Sequence, residues 1–147
     1  MLIGHYFVKL TAKGRLAIPS KFRREIGNKA IVTRFYEKCL VLVGLSRWEN
    51  LMTKLTNKSE FITEPMRDVE RFILGSAFEV DMDSQGRFVV PQVLRGYANI
   101  GDEVVFLGLG DRAEIWNKKE WEKRESKIEE FALESLANRE EGRKIGD

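Results

Sequence analysis

The chain repeats one pattern twice, and this duplication constrains the fold more than any other feature. The first copy reads VKLTAKGRLAIPSKFRREIG over residues 8–27, and the second reads VDMDSQGRFVVPQVLRGYANIG over residues 80–101. The matched pairs lie 72 positions apart: Gly14-Arg15 with Gly86-Arg87, Ile18-Pro19 with Val90-Pro91, and Phe22-Arg23 with Leu94-Arg95. A unit of about 45 residues is marginal as a fold on its own. We therefore expect the two copies to pack on each other or on other chains.

Each copy predicts the same order of elements. Two short strands flank the Gly-Arg turn, and proline then opens a short helix, where its missing N–H is tolerated. Two further strands follow, joined by hairpin turns at residues 36–38 and 108–112. The predicted strands are residues 6–10, 16–18, 30–34 and 40–43 in the first copy, and 78–82, 88–90, 103–107 and 113–116 in the second.

We predict an α+β protein in four parts. These are a first repeat at residues 5–50, a helical linker at 51–76, a second repeat at 77–122, and a charged C-terminal helix and tail at 123–147. In the linker, Pro65 begins a helix that carries Val69, Phe72 and Ile73 on one face, which is typical of core packing. The C-terminal helix is expected to end near Arg139, and its apolar positions to dock on another subunit.

Charge is unevenly distributed along the chain. The net charge is only +2, but residues 1–50 carry ten Lys or Arg against three Asp or Glu, and residues 79–147 carry eleven against sixteen. A basic N-terminal half indicates a polyanionic partner, of which nucleic acid is the usual one. The alternative is that these charges only solvate the surface.

Cysteine content and hydropathy indicate the compartment. The single cysteine, Cys39, excludes an intramolecular disulfide and fits a reducing cytosol. The start MLIGHYFVKL has no long apolar region and no small-residue cleavage site, so we expect no signal peptide. The longest apolar runs are too short to span a bilayer, so we expect no membrane partner.

The repeated Gly-Arg turn carries the chemistry. Gly14 and Gly86 permit a positive φ, and each places an arginine at an exposed position beside a strand. A planar guanidinium suits phosphates and guanine edges. Further cations surround the first turn, namely Lys9, Lys13, Lys21, Arg23, Arg24 and Arg34, whereas Arg95 is the main one expected near the second. The alternative is that Arg15 and Arg87 pair with carboxylates such as Asp81 and Asp83 and only hold the turns.

An enzyme is disfavoured by the residues present. The only histidine, His5, has no acid or cysteine at a convincing spacing, and Cys39 is typical of a buried small hydrophobe. No Cys/His cluster suits zinc, and Gly108-Leu109-Gly110 lacks the rest of a P-loop. We expect no catalytic residue, metal, cofactor or small-molecule substrate.

The motifs resemble the MraZ family. The resemblance rests on the repeated frame Asp-x-x-Gly-Arg-x-x-[Ile/Val]-Pro, which the second copy matches in full and the first matches from Gly14 to Pro19. It also rests on Leu94-Arg95-x-Tyr97-Ala98, on Glu114-Ile115-Trp116, and on the linker stretch from Glu70 to Gly75. It extends from about Leu2 to about Trp121. The first copy departs from the frame, since Thr11 stands where the family has Asp, while the second keeps Asp83.

The resemblance implies a bacterial transcriptional regulator. Its two β-α-β repeats would form one pseudo-twofold β-barrel of the SpoVT/AbrB swapped-hairpin type, with flanking helices. Its partners would be double-stranded DNA, at repeated boxes in the promoter of the division and cell-wall gene cluster, and further copies of itself in a ring. We expect such a protein in the cytoplasm at the nucleoid.

The resemblance also assigns roles to residues of this chain. The DNA-contacting positions would be Arg15, Arg87, Lys13, Lys9, Arg23 and Arg24, with Gly14 and Gly86 forming the turns. If the family's Asp orients the arginine, Arg15 is held differently, through a hydroxyl. We expect the first, more basic turn to contribute more to general DNA affinity. The competing hypothesis is a protein-interaction or scaffold module in which the turns only hold the fold.

Overall fold

The computed structural model describes residues 1–56 and 63–146 and divides them into two units, Met1–Asn117 and the helix that follows. The strands of the first unit are β1 Leu2–Lys9, β2 Arg15–Ala17, β3 Lys29–Arg34, β4 Leu40–Gly44, β5 Phe78–Asp81, β6 Arg87–Val89, β7 Glu103–Gly110 and β8 Ala113–Asn117. Its α-helices are α1 Ser20–Ile26, α2 Trp48–Thr56, α3 Glu64–Ile73 and α4 Gln92–Ala98.

The two repeats exchange their first strands. The six-stranded antiparallel sheet has the order β1-β7-β8-β4-β3-β5, so β1 of the first repeat pairs with β7 of the second, and β5 of the second pairs with β3 of the first. A separate two-stranded ribbon pairs β2 with β6, one strand from each repeat. Because each repeat supplies strands that the other needs, the duplication produces one interleaved unit.

A single hydrophobic core contains equivalent residues of both copies. Leu16 and Phe88 on the ribbon are 0% and 1% exposed, and the helices add Phe22 and Leu94 at 1% and 0%. These positions are 72 apart, like the motif itself. The repeated apolar pattern therefore encodes two halves of one core rather than two cores.

The α+β class is confirmed, but the closed barrel is not. The six-stranded sheet is open, because β1 and β5 each pair on one side only in the described part of the chain. The prediction placed the start of β1 at residue 6 and the end of β7 at residue 107, but both strands extend further. Residues 2–5 of β1 pair with residues 107–110 of β7, and this pairing overrides the low strand propensity of the glycines there.

The second unit is helix α5, Lys118–Gly146. It continues beyond the predicted end near Arg139, which fits the high helix propensity of its Glu, Lys and Arg residues. Large apolar side chains are exposed along it, among them Ile128, Phe131, Leu133 and Leu136. No helix in the described ranges is both long and apolar enough to cross a membrane.

Candidate nucleic-acid interface

The β2–β6 ribbon places the two repeated arginines on one outward face. Leu16 and Phe88 point into the core, and because side chains alternate along a strand, Arg15 and Arg87 point away from it. Arg15 lies opposite Val89, and Arg87 lies opposite Ala17. The arginines are thus diagonal neighbours, a relation that separates Cα atoms by about 7–8 Å.

The turns that precede these arginines have matching backbone geometry. Gly14 has φ of 75° and Gly86 has φ of 73°, and the amides of both donate to the carbonyl three residues earlier at 3.0 Å. Each turn is also tied to the other repeat. The Ile18 amide donates to the Gly86 carbonyl at 2.9 Å, and the Val90 amide donates to the Gly14 carbonyl at 3.0 Å. The ribbon and both turns therefore form one hydrogen-bonded piece.

Each turn carries an arginine from the opposite repeat. A Cβ on Gly14 would come within 2.8 Å of Arg95 Nη1, and a Cβ on Gly86 would overlap the guanidinium of Arg23. Arg23 Nε also donates to the Ile18 carbonyl at 2.8 Å. The prediction that Arg23 lies near the first turn and Arg95 near the second was therefore wrong. Because the repeats exchange strands, each arginine lies against the turn of the other repeat.

Arg95 is the residue at this surface that our site prediction missed. Its match to Arg23 at the repeat offset is the signal that could have found it. With Arg95 in place, the first turn carries three cations, Lys13, Arg15 and Arg95, and the second carries Arg87 and Arg23.

The turns differ at three positions, and the difference between Asp83 and Thr11 decides how each arginine is held. Asp83 Oδ2 accepts from Arg87 Nε at 2.9 Å, and Oδ1 accepts from the backbone N–H groups of Arg87 and Gln85, both at 2.9 Å. These bonds hold the pKa of Asp83 below its usual range, and the bond from the Arg87 backbone N–H has the largest effect. The carboxylate therefore fixes both the second turn and its arginine side chain.

In the first turn a side chain fixes the backbone but not the arginine side chain. Thr11 Oγ1 accepts from the Arg15 backbone N–H at 3.1 Å, which replaces one of the bonds made by Asp83. The Arg15 guanidinium forms no hydrogen bond or ion pair with the described residues. Pairing with a carboxylate, the alternative considered for both arginines, thus holds for Arg87 and not for Arg15.

Three other predicted cations are exposed to solvent. Lys9, Lys13 and Arg24 are exposed, at the end of β1, in the first turn and on α1 respectively. Arg34, which the sequence grouped with the first turn, belongs elsewhere. Its Nε donates to the Phe72 carbonyl at 3.2 Å and its guanidinium lies 4.5 Å from the Phe72 ring, so it fastens helix α3 to the sheet.

The cysteine considered above for catalysis lies in the core. Cys39 is fully buried, its Sγ donates to the Tyr36 carbonyl at 3.3 Å, and burial raises the pKa of its thiol. A neutral buried thiol is a poor nucleophile. Within residues 1–56 and 63–146, no group of three or more His, Cys, Asp or Glu side chains is placed to hold a metal ion.

Comparison with known proteins reproduces the duplication. The sequence model of the family described as "MraZ protein, putative antitoxin-like" matches the chain twice, at residues 1–72 and 73–144. A protein of Acetivibrio thermocellus named "Transcriptional regulator MraZ" is 40% identical over 139 residues, which cover 95% of this chain and 96% of that protein.

Two further relatives carry the same name. The protein of Caldanaerobacter subterraneus subsp. tengcongensis is 38% identical over 137 residues, which cover 93% of this chain and 94% of the relative. The protein of Caldicellulosiruptor saccharolyticus is 40% identical over 141 residues, which cover 96% of this chain and 97% of the relative. These matches extend over nearly the whole length of both chains in each comparison.

Proposed function

The chain belongs to the MraZ family, and on this basis we propose that it is a transcriptional regulator that binds double-stranded DNA in a sequence-specific manner. The observation that carries the proposal is the outward face of the β2–β6 ribbon, where Arg15 and Arg87 are diagonal neighbours. The names of the relatives support the same role.

A two-stranded ribbon that carries arginines on one face supports the proposal of duplex binding. The major groove of B-DNA admits a two-stranded β-ribbon, and a guanidinium pairs in bidentate fashion with the O6 and N7 atoms of guanine. Lys13 and Arg95 add charge beside Arg15, and cations of this kind bind phosphates and release counterions. A chain with a net charge of +2 can therefore bind DNA through one basic face.

We extend the proposal to the assembly and its target. Strand exchange between the repeats supports a swapped-hairpin arrangement, and the family resemblance supports rings of several copies on repeated promoter boxes of the division and cell-wall gene cluster. A ring would multiply weak contacts through effective concentration. The exposed apolar side chains of α5, such as Phe131, offer contacts for self-association. We also propose that the protein acts at the nucleoid.

Selection followed by titration tests the proposal. The wild-type protein is used to select duplexes from a random-sequence pool, and fluorescence anisotropy then compares the selected duplex with a scrambled one. We expect at least about a thousandfold preference for the selected duplex, and an affinity that falls steeply between about 50 and 200 mM salt. Equal affinity for both duplexes, or no binding to either, would contradict the proposal and favour a scaffold module.

A further inference from the structure

We infer that the two Gly-Arg turns act differently on DNA: Arg87, positioned by Asp83, reads a base edge, whereas Arg15 contacts the phosphate backbone. The inference rests on the proposed function, since it divides DNA recognition between the two turns. The two arginines occupy matching positions of the repeat, and what separates them is Thr11 in the first turn where the second turn has Asp83.

The second turn presents a guanidinium that is already oriented. Arg87 Nε donates to Asp83 Oδ2 at 2.9 Å, and the same carboxylate is itself fixed by the amides of Gln85 and Arg87. Pairing through Nε leaves Nη1 and Nη2 for another partner. These two nitrogens form the end of the fork that makes a bidentate contact with guanine. A side chain ordered before binding also loses less rotamer freedom on the DNA.

The first turn presents a guanidinium that no described carboxylate holds in place. Thr11 offers one hydroxyl oxygen, and the Arg15 backbone N–H uses it. No carboxylate in the described ranges contacts the Arg15 side chain. A flexible cation suits phosphates, which repeat along both strands and demand little angular precision.

The charge around each turn reinforces the difference. Arg95 on the first turn is matched by Arg23 on the second, so the extra positive charge of the first turn comes from Lys13. In the second turn Asp83 offsets the charge of Arg87, and the residue equivalent to Lys13 is Gln85. The first turn therefore releases more counterions from DNA, and the second supplies geometry.

Asp83→Asn isolates the positioning role. Asparagine keeps Oδ1 as the acceptor for the backbone of the turn but replaces Oδ2, the acceptor for Arg87 Nε, with a donor. We expect the preference for the selected over the scrambled duplex to fall about tenfold or more. Because the charge of Arg87 is no longer offset, affinity for the scrambled duplex should rise, and the slope of log K against log[salt] should steepen by about 1.

Thr11→Asp is the reciprocal variant. It supplies the first turn with the carboxylate that Asp83 gives the second, so we expect the salt slope to become shallower by about 1 and affinity to fall for both duplexes. Thr11→Asn is the matched control, since it adds an amide of the same shape without charge, and it should change the slope by less than Thr11→Asp.

A pair of Arg→Lys variants tests the division without altering the turns. Arg87→Lys keeps the charge but loses the bidentate fork, so the preference should fall about tenfold or more. Arg15→Lys should reduce the affinity for both duplexes by the same factor, so the preference for the selected duplex should stay unchanged. Equal losses of preference in the two Lys variants, or an unchanged preference in Asp83→Asn with an intact melting temperature, would overturn the inference. The proposed function fails separately, if the wild-type protein shows no preference at all.

Discussion

At the residue scale, Gly86 meets two requirements at once. Its φ of 73° lies in the left-handed region, which costs other residues about 1–2 kcal/mol. The Arg23 guanidinium also occupies the space where a Cβ would project. The glycine of the motif is therefore needed for the turn and for the arginine that crosses from the other repeat.

A double-mutant cycle separates these two requirements. Gly86→Ala should lower the free energy of unfolding by about 1–3 kcal/mol. In an Arg23→Ala background the same change should cost less, because only the backbone penalty remains, with a coupling of about 0.5 kcal/mol or more. Urea denaturation of the four proteins measures the coupling. Strictly additive costs would show that Arg23 does not pack on the turn in solution.

Glu114 is a buried carboxyl, and its burial should make the stability of the protein depend on pH. It is 8% exposed, and its Oε1 accepts from Trp116 Nε1 at 2.9 Å. Burial raises the pKa of this carboxyl. A carboxyl with a raised pKa in the folded protein contributes stability that is fully present below its unfolded pKa and is lost as pH rises through the folded value.

Glu114→Gln should therefore gain stability relative to wild type as pH increases. The difference should be smallest near the unfolded pKa of about 4, and the stability of the variant relative to wild type should rise towards pH 7. Urea denaturation between these pH values measures the difference. Glu129→Gln on α5, which removes a solvent-exposed carboxylate, is the control and should show no such trend. A difference for Glu114→Gln that is constant with pH would contradict the account.

At the element scale, the C-terminal end of α3 is fastened by side chains. Thr33 Oγ1 donates to the Ile73 carbonyl at 2.5 Å, and both Arg34 Nε and Ser76 Oγ donate to the Phe72 carbonyl. Carbonyls in the last turn of an α-helix lack the amide four residues on as a partner, so side-chain donors are favourable there. Sheet residues of the first repeat therefore hold the linker helix that leads to the second.

Thr33→Val should weaken this attachment. Valine has nearly the same shape, so the main loss is the buried hydrogen bond to the Ile73 carbonyl, worth about 1–2 kcal/mol. Thermal unfolding measures the change. Thr53→Val, which removes an exposed hydroxyl that bonds to the Glu49 carbonyl within α2, is the matched control and should cost less. Equal costs would show that the bond between Thr33 and α3 contributes nothing special.

Local elements were largely predictable because their signals are local. The linker helix was expected from Pro65 and its apolar face, and it forms with Thr63 as its N-cap, whose hydroxyl accepts from the Met66 amide at 3.3 Å. The extension of β1 and β7 was not predictable in the same way, since it depends on pairing between residues about 105 positions apart.

At the scale of the whole molecule, strand exchange decides which residues meet. The sequence predicts two turns of matching backbone geometry but unequal charge, and it predicts that the repeats pack on each other. The matching turns and a core shared by both repeats are present. It does not predict that Arg95 lies on the first turn and Arg23 on the second, because neighbours in sequence suggest neighbours in space. It does show Thr11 at the position that matches Asp83, but only the structure shows that the hydroxyl holds the backbone and that no described carboxylate pairs with the guanidinium.

The central claim is that the outward face of the β2–β6 ribbon binds DNA, and one comparison tests it most directly. The double variant Arg15→Ala/Arg87→Ala is titrated with the selected duplex beside Arg47→Ala/Arg71→Ala, which removes the same charge from two exposed arginines elsewhere. We predict a loss of about 100-fold or more for the ribbon variant and a much smaller loss for the control, with matching circular dichroism spectra. Wild-type affinity in the ribbon variant, or equal losses in both, would contradict the account.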